Sequence, residues 1–146
     1  KLGVKKIFIT NRTPERALKL VDFFRQQLNI DIEFVESTYV DKIHDLNLII
    51  NMTPFGSELY PDVTFPLSLE GISNNTVVFD AVTAETPLLK HALSMKMKCV
   101  SGFDMLVHQA VHQFKLFASL DISSDLLREA LSSEVSREIL YTNGNI

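Results

Sequence analysis

KKIFITNRTPERALKLVDFFRQQLNIDIEFV, running from Lys5 to Val35, carries the pattern that decides the fold. Ile7-Phe8-Ile9 is a short β-branched and aromatic run, the composition of a strand, and it ends in Thr10-Asn11-Arg12-Thr13-Pro14. Proline at a first helical position has its φ preset and no N–H to leave unpaired, so a helix is predicted from Pro14 with Thr13 as its cap. From Glu15 to Leu28 the apolar Ala17, Leu18, Val21, Phe24 and Leu28 recur at helical spacing, with Arg16, Lys19, Asp22 and Gln26 opposite. Ile32 to Val35 is then a second strand. Strand, amphipathic helix and strand in that order make the βαβ unit of a parallel sheet.

The same alternation continues downstream. Leu46-Asn47-Leu48-Ile49-Ile50 reads as a third, buried strand that stops at the loop Asn51-Met52-Thr53-Pro54-Phe55-Gly56. Ser57 to Asn75, with Pro61, Pro66 and Gly71, is expected to be irregular and to cover the mouth of the sheet. Val77-Val78-Phe79 is a central strand, Thr86-Pro87 repeats the cap-then-proline device for a helix to about Met97, and Cys99-Val100 is a short strand. Gly102 opens a long helix to about Leu120 whose expected buried stripe is Phe103, Leu106, Val107, Ala110, Val111, Phe114 and Phe117. Ser123 or Ser124 caps a last helix through Leu140, and Thr142 to Ile146 is a polar tail. The expected fold is α/β, a doubly wound (Rossmann-like), mostly parallel sheet with a C-terminal helical segment. Residues 1–120 form its domain and residues 121–146 the final helix and tail.

Composition narrows the function classes. The chain has 146 residues, 46% of them hydrophobic, with formal net charge −4 and one cysteine. That is enough apolar material for one packed core. A single thiol, Cys99, makes no internal disulfide, and no Cys/His set has zinc-ligand spacing, so a disulfide scaffold and a zinc module are excluded and a cytoplasmic setting is expected. No apolar run approaches the roughly 20 residues that span a bilayer. Lys and Arg are scattered, which argues against nucleic acid as a partner.

A local anion site is nevertheless written into Asn11-Arg12-Thr13-Pro14-Glu15-Arg16. Where a dinucleotide fold ends its second strand, an acidic residue favours the ribose of NAD and an arginine accommodates the 2′-phosphate of NADP. Here the strand ends in Asn-Arg, beside the amides of a helix start. The plainer alternative is a solvated helix cap with two surface arginines.

The order and spacing of NRTPER, LIINMTPFG, VVFDAV, TPLLKHAL and GFDMLVHQAVHQF over most of the chain resemble the C-terminal part of the shikimate dehydrogenase family, which reduces 3-dehydroshikimate with NADPH. The resemblance implies that Asn11, Arg12, Thr13 and Arg16 hold the 2′-phosphate end of NADP. It implies further that Thr53 lines the cofactor cleft, that Ala81 lies beside the cofactor, and that Gly102 and Met105 approach the nicotinamide. Gln109 would hydrogen-bond the hydroxyls of a small-molecule substrate, shikimate or 3-dehydroshikimate. The family's D-x-V-Y-x-P segment carries a substrate-binding tyrosine where Thr83 stands, and the family's usual glycine two residues after Gly102 is Asp104, which puts a carboxylate near the expected nicotinamide region, to disfavour a cofactor or bind a different group. Quinate-using relatives therefore stay open, as does a truncated, non-catalytic binding module of the same fold.

The family's Gly-rich turn and its N-terminal substrate domain, with the catalytic lysine and aspartate, have no counterpart in residues 1–146. No catalytic residue is therefore expected in this chain, which is expected to be a fragment, inactive alone. In the strand order 3-2-1-4-5-6 the missing first strand leaves a gap at the middle of the sheet. The flanking strands then close up, a partner chain such as a second copy in a homodimer fills the gap, or the chain is part of a longer protein.

Other features take plain readings. His108 and His112 are four apart on one helix but lack a third ligand, so no metal is expected. Asp80 is expected to accept hydrogen bonds from nearby backbone amides, and Cys99 to be a core residue.

Overall fold

In the computed structural model, which describes residues 3–43, 45–57, 59–60 and 67–142, five parallel strands and four helices follow one another. Strand β1 (Lys6–Ile9) leads into helix α1 (Pro14–Arg25) and back to strand β2 (Asp31–Phe34), which pairs with β1 in parallel register from Lys6–Asp31 to Ile9–Phe34. Ala17 and Val21 are the buried residues of α1, and Ile32 is buried on β2. The Arg25 guanidinium donates to the Ile32 carbonyl at 2.8 Å, tying the last turn of α1 to β2. Lys6 spans Asp31 and Glu33 at 3.0 and 2.8 Å, and the two carboxylates raise the pKa of its ammonium.

Two details differ from expectation. Thr13 is the N-cap residue of α1 by position, but its hydroxyl makes no capping bond; the Asn11 side-chain carbonyl instead takes the Thr13 amide at 2.8 Å. The helix ends at Arg25 rather than Leu28, because the Gln27 and Leu28 amides both close on the Phe24 carbonyl and tighten the chain into a turn.

Strands β3 (Leu48–Asn51), β4 (Val77–Asp80) and β5 (Lys98–Ser101) form a second parallel sheet in the order β3-β4-β5. Helix α2 (Pro87–Ser94) connects β4 to β5. Leu88, Leu89 and Ala92 on α2 pack with Ile49 and Val78 of the sheet. The segment expected to cover the sheet's mouth also enters this core, because Leu67, Leu69 and Ile72 are buried against the same residues; residues 58 and 61–66 of it lie outside the described residues. β3 is not buried on both faces as expected. Ile49 and Asn51 face the core, whereas Leu48 and Ile50 are half exposed, since among the described residues no element covers the other face.

The expected gap is present. Among the described residues β1 pairs only with β2 and β3 only with β4, so the flanking strands have not closed up.

Helix α3 (Gly102–Ala118) begins directly at β5 and ends at Ser119 in the left-handed conformation, φ 53°. Of its expected buried stripe only Val107 is buried. Phe114 is 40% and Phe117 86% exposed; among the described residues the helix chiefly packed on α3 is α4 (Ser124–Thr142). Ser123 caps α4, its hydroxyl accepting the Leu126 amide at 3.2 Å, and Leu127 is buried. The expected polar tail beyond Thr142 lies outside the described residues.

Candidate functional site

In each parallel sheet all carboxyl ends fall on one edge, and the sequence-derived site residues fall on those edges. They form two groups. The first follows β1: Asn11, Arg12 and Arg16 are exposed and Thr13 is half-buried, at the start of α1. Among the described residues neither Arg12 nor Arg16 forms an ion pair, so both guanidinium groups are open to an anion. The Thr10 hydroxyl, at the end of the same strand, is buried and unpartnered.

The second group stands on the three-stranded sheet and is held by a buried polar network. Asn51, the last residue of β3, accepts at its side-chain carbonyl from the Thr53 amide and hydroxyl at 3.0 and 2.6 Å, which fixes the turn after the strand. Its amide nitrogen donates to Asp80 at 3.0 Å. Asp80, the last residue of β4, also accepts from the Val82 amide at 3.0 Å and the Thr86 hydroxyl at 2.7 Å. Thr86 in turn caps α2 by accepting from the Leu89 amide at 3.2 Å.

Ala81 and Gly102 meet directly. The Gly102 amide donates to the Val82 carbonyl at 3.2 Å, and a Cβ on Gly102 would overlap the Ala81 carbonyl. Glycine is thus required by close backbone packing between the β4 loop and the start of α3. On the other side of the network Gly56 has φ +80°, and a Cβ there would lie 2.9 Å from the Pro87 ring, so the β3 loop rests on the start of α2.

The first turns of α3 carry Met105 and Gln109, both exposed. Thr83 lines a shallow depression with Leu89, Cys99, Ser101 and Asp104, and neither Met105 nor Gln109 lines it. Burial raises the Cys99 thiol pKa, and the side chain packs against the apolar core, in keeping with a core residue.

Asp104 does not project a free carboxylate into the site. One oxygen accepts from the Ser101 hydroxyl and amide at 2.6 and 3.0 Å while Ser101 receives the Asp104 amide, a reciprocal capping box at the start of α3. The other accepts from Arg128 of α4 at 2.7 Å. The Ser101 bonds, aided by Arg128, lower its pKa to about 2. Among the described residues no group of His, Cys, Asp or Glu could hold a metal ion, and no helix is long and apolar enough to cross a membrane.

Sequence reasoning took Asp80 as an acceptor of backbone amides and passed over Asn51 and Thr86 as its side-chain partners. The signal was there: a polar residue ending each of two adjacent apolar strands.

Comparison with known proteins points to one family. The chain is 33% identical over 132 residues to the shikimate dehydrogenase (NADP(+)) of Maridesulfovibrio salexigens, covering 89% of this chain and 46% of that protein. With the enzyme of the same name from Rhizobium meliloti it shares 33% over 138 residues, covering 92% and 46%. The chain is similar to the shikimate dehydrogenase family. It spans about half the length of the curated relatives it matches. Among solved structures it is similar to shikimate dehydrogenase from Aquifex aeolicus, with TM-score 0.69, 28% identity and coverage of 86% of this chain and 44% of that one. It is also similar to quinate dehydrogenase from Corynebacterium glutamicum in complex with NAD, with TM-score 0.75, 27% identity and coverage of 90% and 47%. No protein-family model matches the chain. The α/β, Rossmann-like architecture of the family is the one described above.

Proposed function

We propose that residues 1–120 are the cofactor-holding domain of an NADP-dependent shikimate dehydrogenase, followed by a C-terminal helix and tail in residues 121–146. The observation that carries this reading is the pair of unpaired arginines, Arg12 and Arg16, where β1 meets α1, with no acidic residue at the strand end. One point of geometry fits a dinucleotide: the open guanidinium groups stand beside the amides of a helix start. Asn11, Arg12, Thr13 and Arg16 would hold the 2′-phosphate end; Thr53, Ala81, Gly102 and Met105 would receive the rest.

Bound NADP(H) supplies the hydride exchanged with the C3 carbon of 3-dehydroshikimate or shikimate. This chain's residues position it, and Gln109 and Thr83 would hydrogen-bond the substrate's hydroxyls. The lysine and aspartate that move the proton in this family have no counterpart in residues 1–146, so this portion alone is proposed to be inactive. A cytoplasmic location and a homodimeric assembly complete the reading.

The similarity to a quinate dehydrogenase favours one second reading, a quinate-using relative. The test is NADP(+) reduction followed by absorbance with the protein at its natural full length, offering shikimate or quinate. Turnover with shikimate supports the first reading, turnover only with quinate the second, and none with either leaves a binding module.

A further inference from the structure

We propose that Asp80 is a positioning residue for the reaction just described, an inference that rests on that reading. It sets where Thr53, Ala81 and Gly102 stand relative to one another and does so without touching the cofactor.

Asp80 is completely buried, as are Asn51 and Thr86 to within 1%. Its two oxygens meet three donors: the Asn51 amide, the Val82 backbone N–H and the Thr86 hydroxyl. A carboxylate only accepts, and here it has only donors around it, which offsets the cost of burying it. Each donor belongs to a different piece of the site. Asn51 passes the constraint to Thr53, whose amide and hydroxyl it receives. Val82 follows Ala81, and its carbonyl receives the amide of Gly102, so the start of α3 is reached in one further step. Thr86 fixes the start of α2, on which the β3 loop rests through Gly56.

The β3 loop, the β4 loop running into α2, and the start of α3 thus share one side chain that links their placement. Strand pairing alone does not supply this. The ladder fixes Asn51 against Asp80 and Asp80 against Ser101, and one further backbone bond, from the Ala81 amide to the Asn51 carbonyl at 2.9 Å, reaches the β4 loop; Thr53 and Val82 lie beyond it.

Asparagine at position 80 matches the volume but not the chemistry. One end can still accept from Asn51 and Val82, but a neutral amide oxygen holds both N–H groups more weakly than a carboxylate does. The other turns an N–H toward Thr86, leaving the Thr86 hydroxyl hydrogen without its acceptor. The loops should loosen while the fold persists.

Two measurements on Asp80→Asn test this. Amide hydrogen exchange on the cofactor-free protein should show faster exchange at Thr53, Val82 and Gly102, with the core amides of Ile49 and Val78 unchanged. In the protein at its natural full length, turnover should fall about a hundredfold, as small misplacements do. The KM for shikimate should stay within about twofold, and the deuterium isotope effect from shikimate labelled at C3 should rise as hydride transfer becomes slower than the other steps. Asn51→Ala, which spares Asp80, should free the Thr53 amide but not that of Val82, and it serves if the first variant does not fold.

Unchanged exchange at Thr53 and Val82 overturns the proposal. So does a loss of turnover that follows only the loss of folded protein, with the isotope effect unmoved. Because exchange is read without cofactor, it judges Asp80 even if the unaltered protein turns over neither shikimate nor quinate, a result that would count against the dehydrogenase reading itself.

Discussion

Arg12 is the residue on which cofactor choice turns. A guanidinium open to solvent at the end of β1 can meet a 2′-phosphate through two parallel N–H bonds, and such charge-assisted bonds contribute about 1.5–3 kcal/mol. In the full-length protein Arg12→Ala should therefore weaken NADPH by tenfold or more while leaving NADH within about twofold; equal losses for both cofactors, measured by calorimetry, would sink the assignment. Gln109→Ala should instead raise the KM for shikimate with NADP affinity intact. Asp104 shows how a residue can be seen in the sequence and its role misjudged. It stood out as a carboxylate where the family has glycine, close to the expected nicotinamide region, yet the structure turns it into the cap of α3 and the anchor of Arg128. The cap was legible, since Ser101 and Asp104 have the spacing of a capping box; Arg128, 24 residues away, was not. With its folded pKa lowered to about 2, Asp104 adds stability that is fully present above about pH 4, where it is ionised even unfolded. That contribution is lost as pH falls from about 4 toward 2. The pair is about a third exposed, so the effect is on the order of 1 kcal/mol. Asp104→Asn should lower the melting temperature at pH 7 and match the unaltered protein near pH 2.

Among the elements, helix starts were the most readable and helix faces the least. Proline fixes the first turn locally, so Pro14 and Pro87 each open a helix as expected, but the caps before them differ. Thr86 caps because its hydroxyl is held by Asp80 while receiving the Leu89 amide; Thr13 has no such neighbour, and Asn11 only takes the Thr13 amide in the turn before the helix. The consequence is testable by a pair of substitutions. Thr86→Ala removes both a cap and a buried hydrogen bond and should cost about 2–3 kcal/mol, whereas Thr13→Ala should cost a few tenths, as read by urea denaturation of each variant. Comparable losses would mean that Thr13 caps in solution. The apolar stripe of α3 followed the helical period faithfully, but period says which residues share a face and not whether anything covers it. Val107 meets a neighbour and Phe117 does not.

At the scale of the whole molecule, strand order was the deepest inference open to the sequence, because it rests on a topological rule. Five strands matching the second to sixth of a doubly wound sheet must leave an opening where the first would lie, and the structure has two separate sheets with one unpaired edge each on β1 and β3. What the sequence could not show is how much apolar surface this opening leaves. Leu48 and Ile50 on β3 are half exposed and Met52 beyond them is 70% exposed, a flat apolar strand at a free edge. Unpaired N–H and C=O groups on such an edge are a template for another strand, and nothing charged in Leu48–Asn51 opposes pairing. Produced as residues 1–146 alone, the protein should therefore associate through β3. Sedimentation at tens of micromolar should show species heavier than the monomer, and Ile50→Lys should return them to monomer without lowering the unfolding free energy by more than about 1 kcal/mol, because that side chain faces away from the core. A monomer before substitution, or association untouched by Ile50→Lys, would show that the exposed edge of β3 does not govern how this chain assembles.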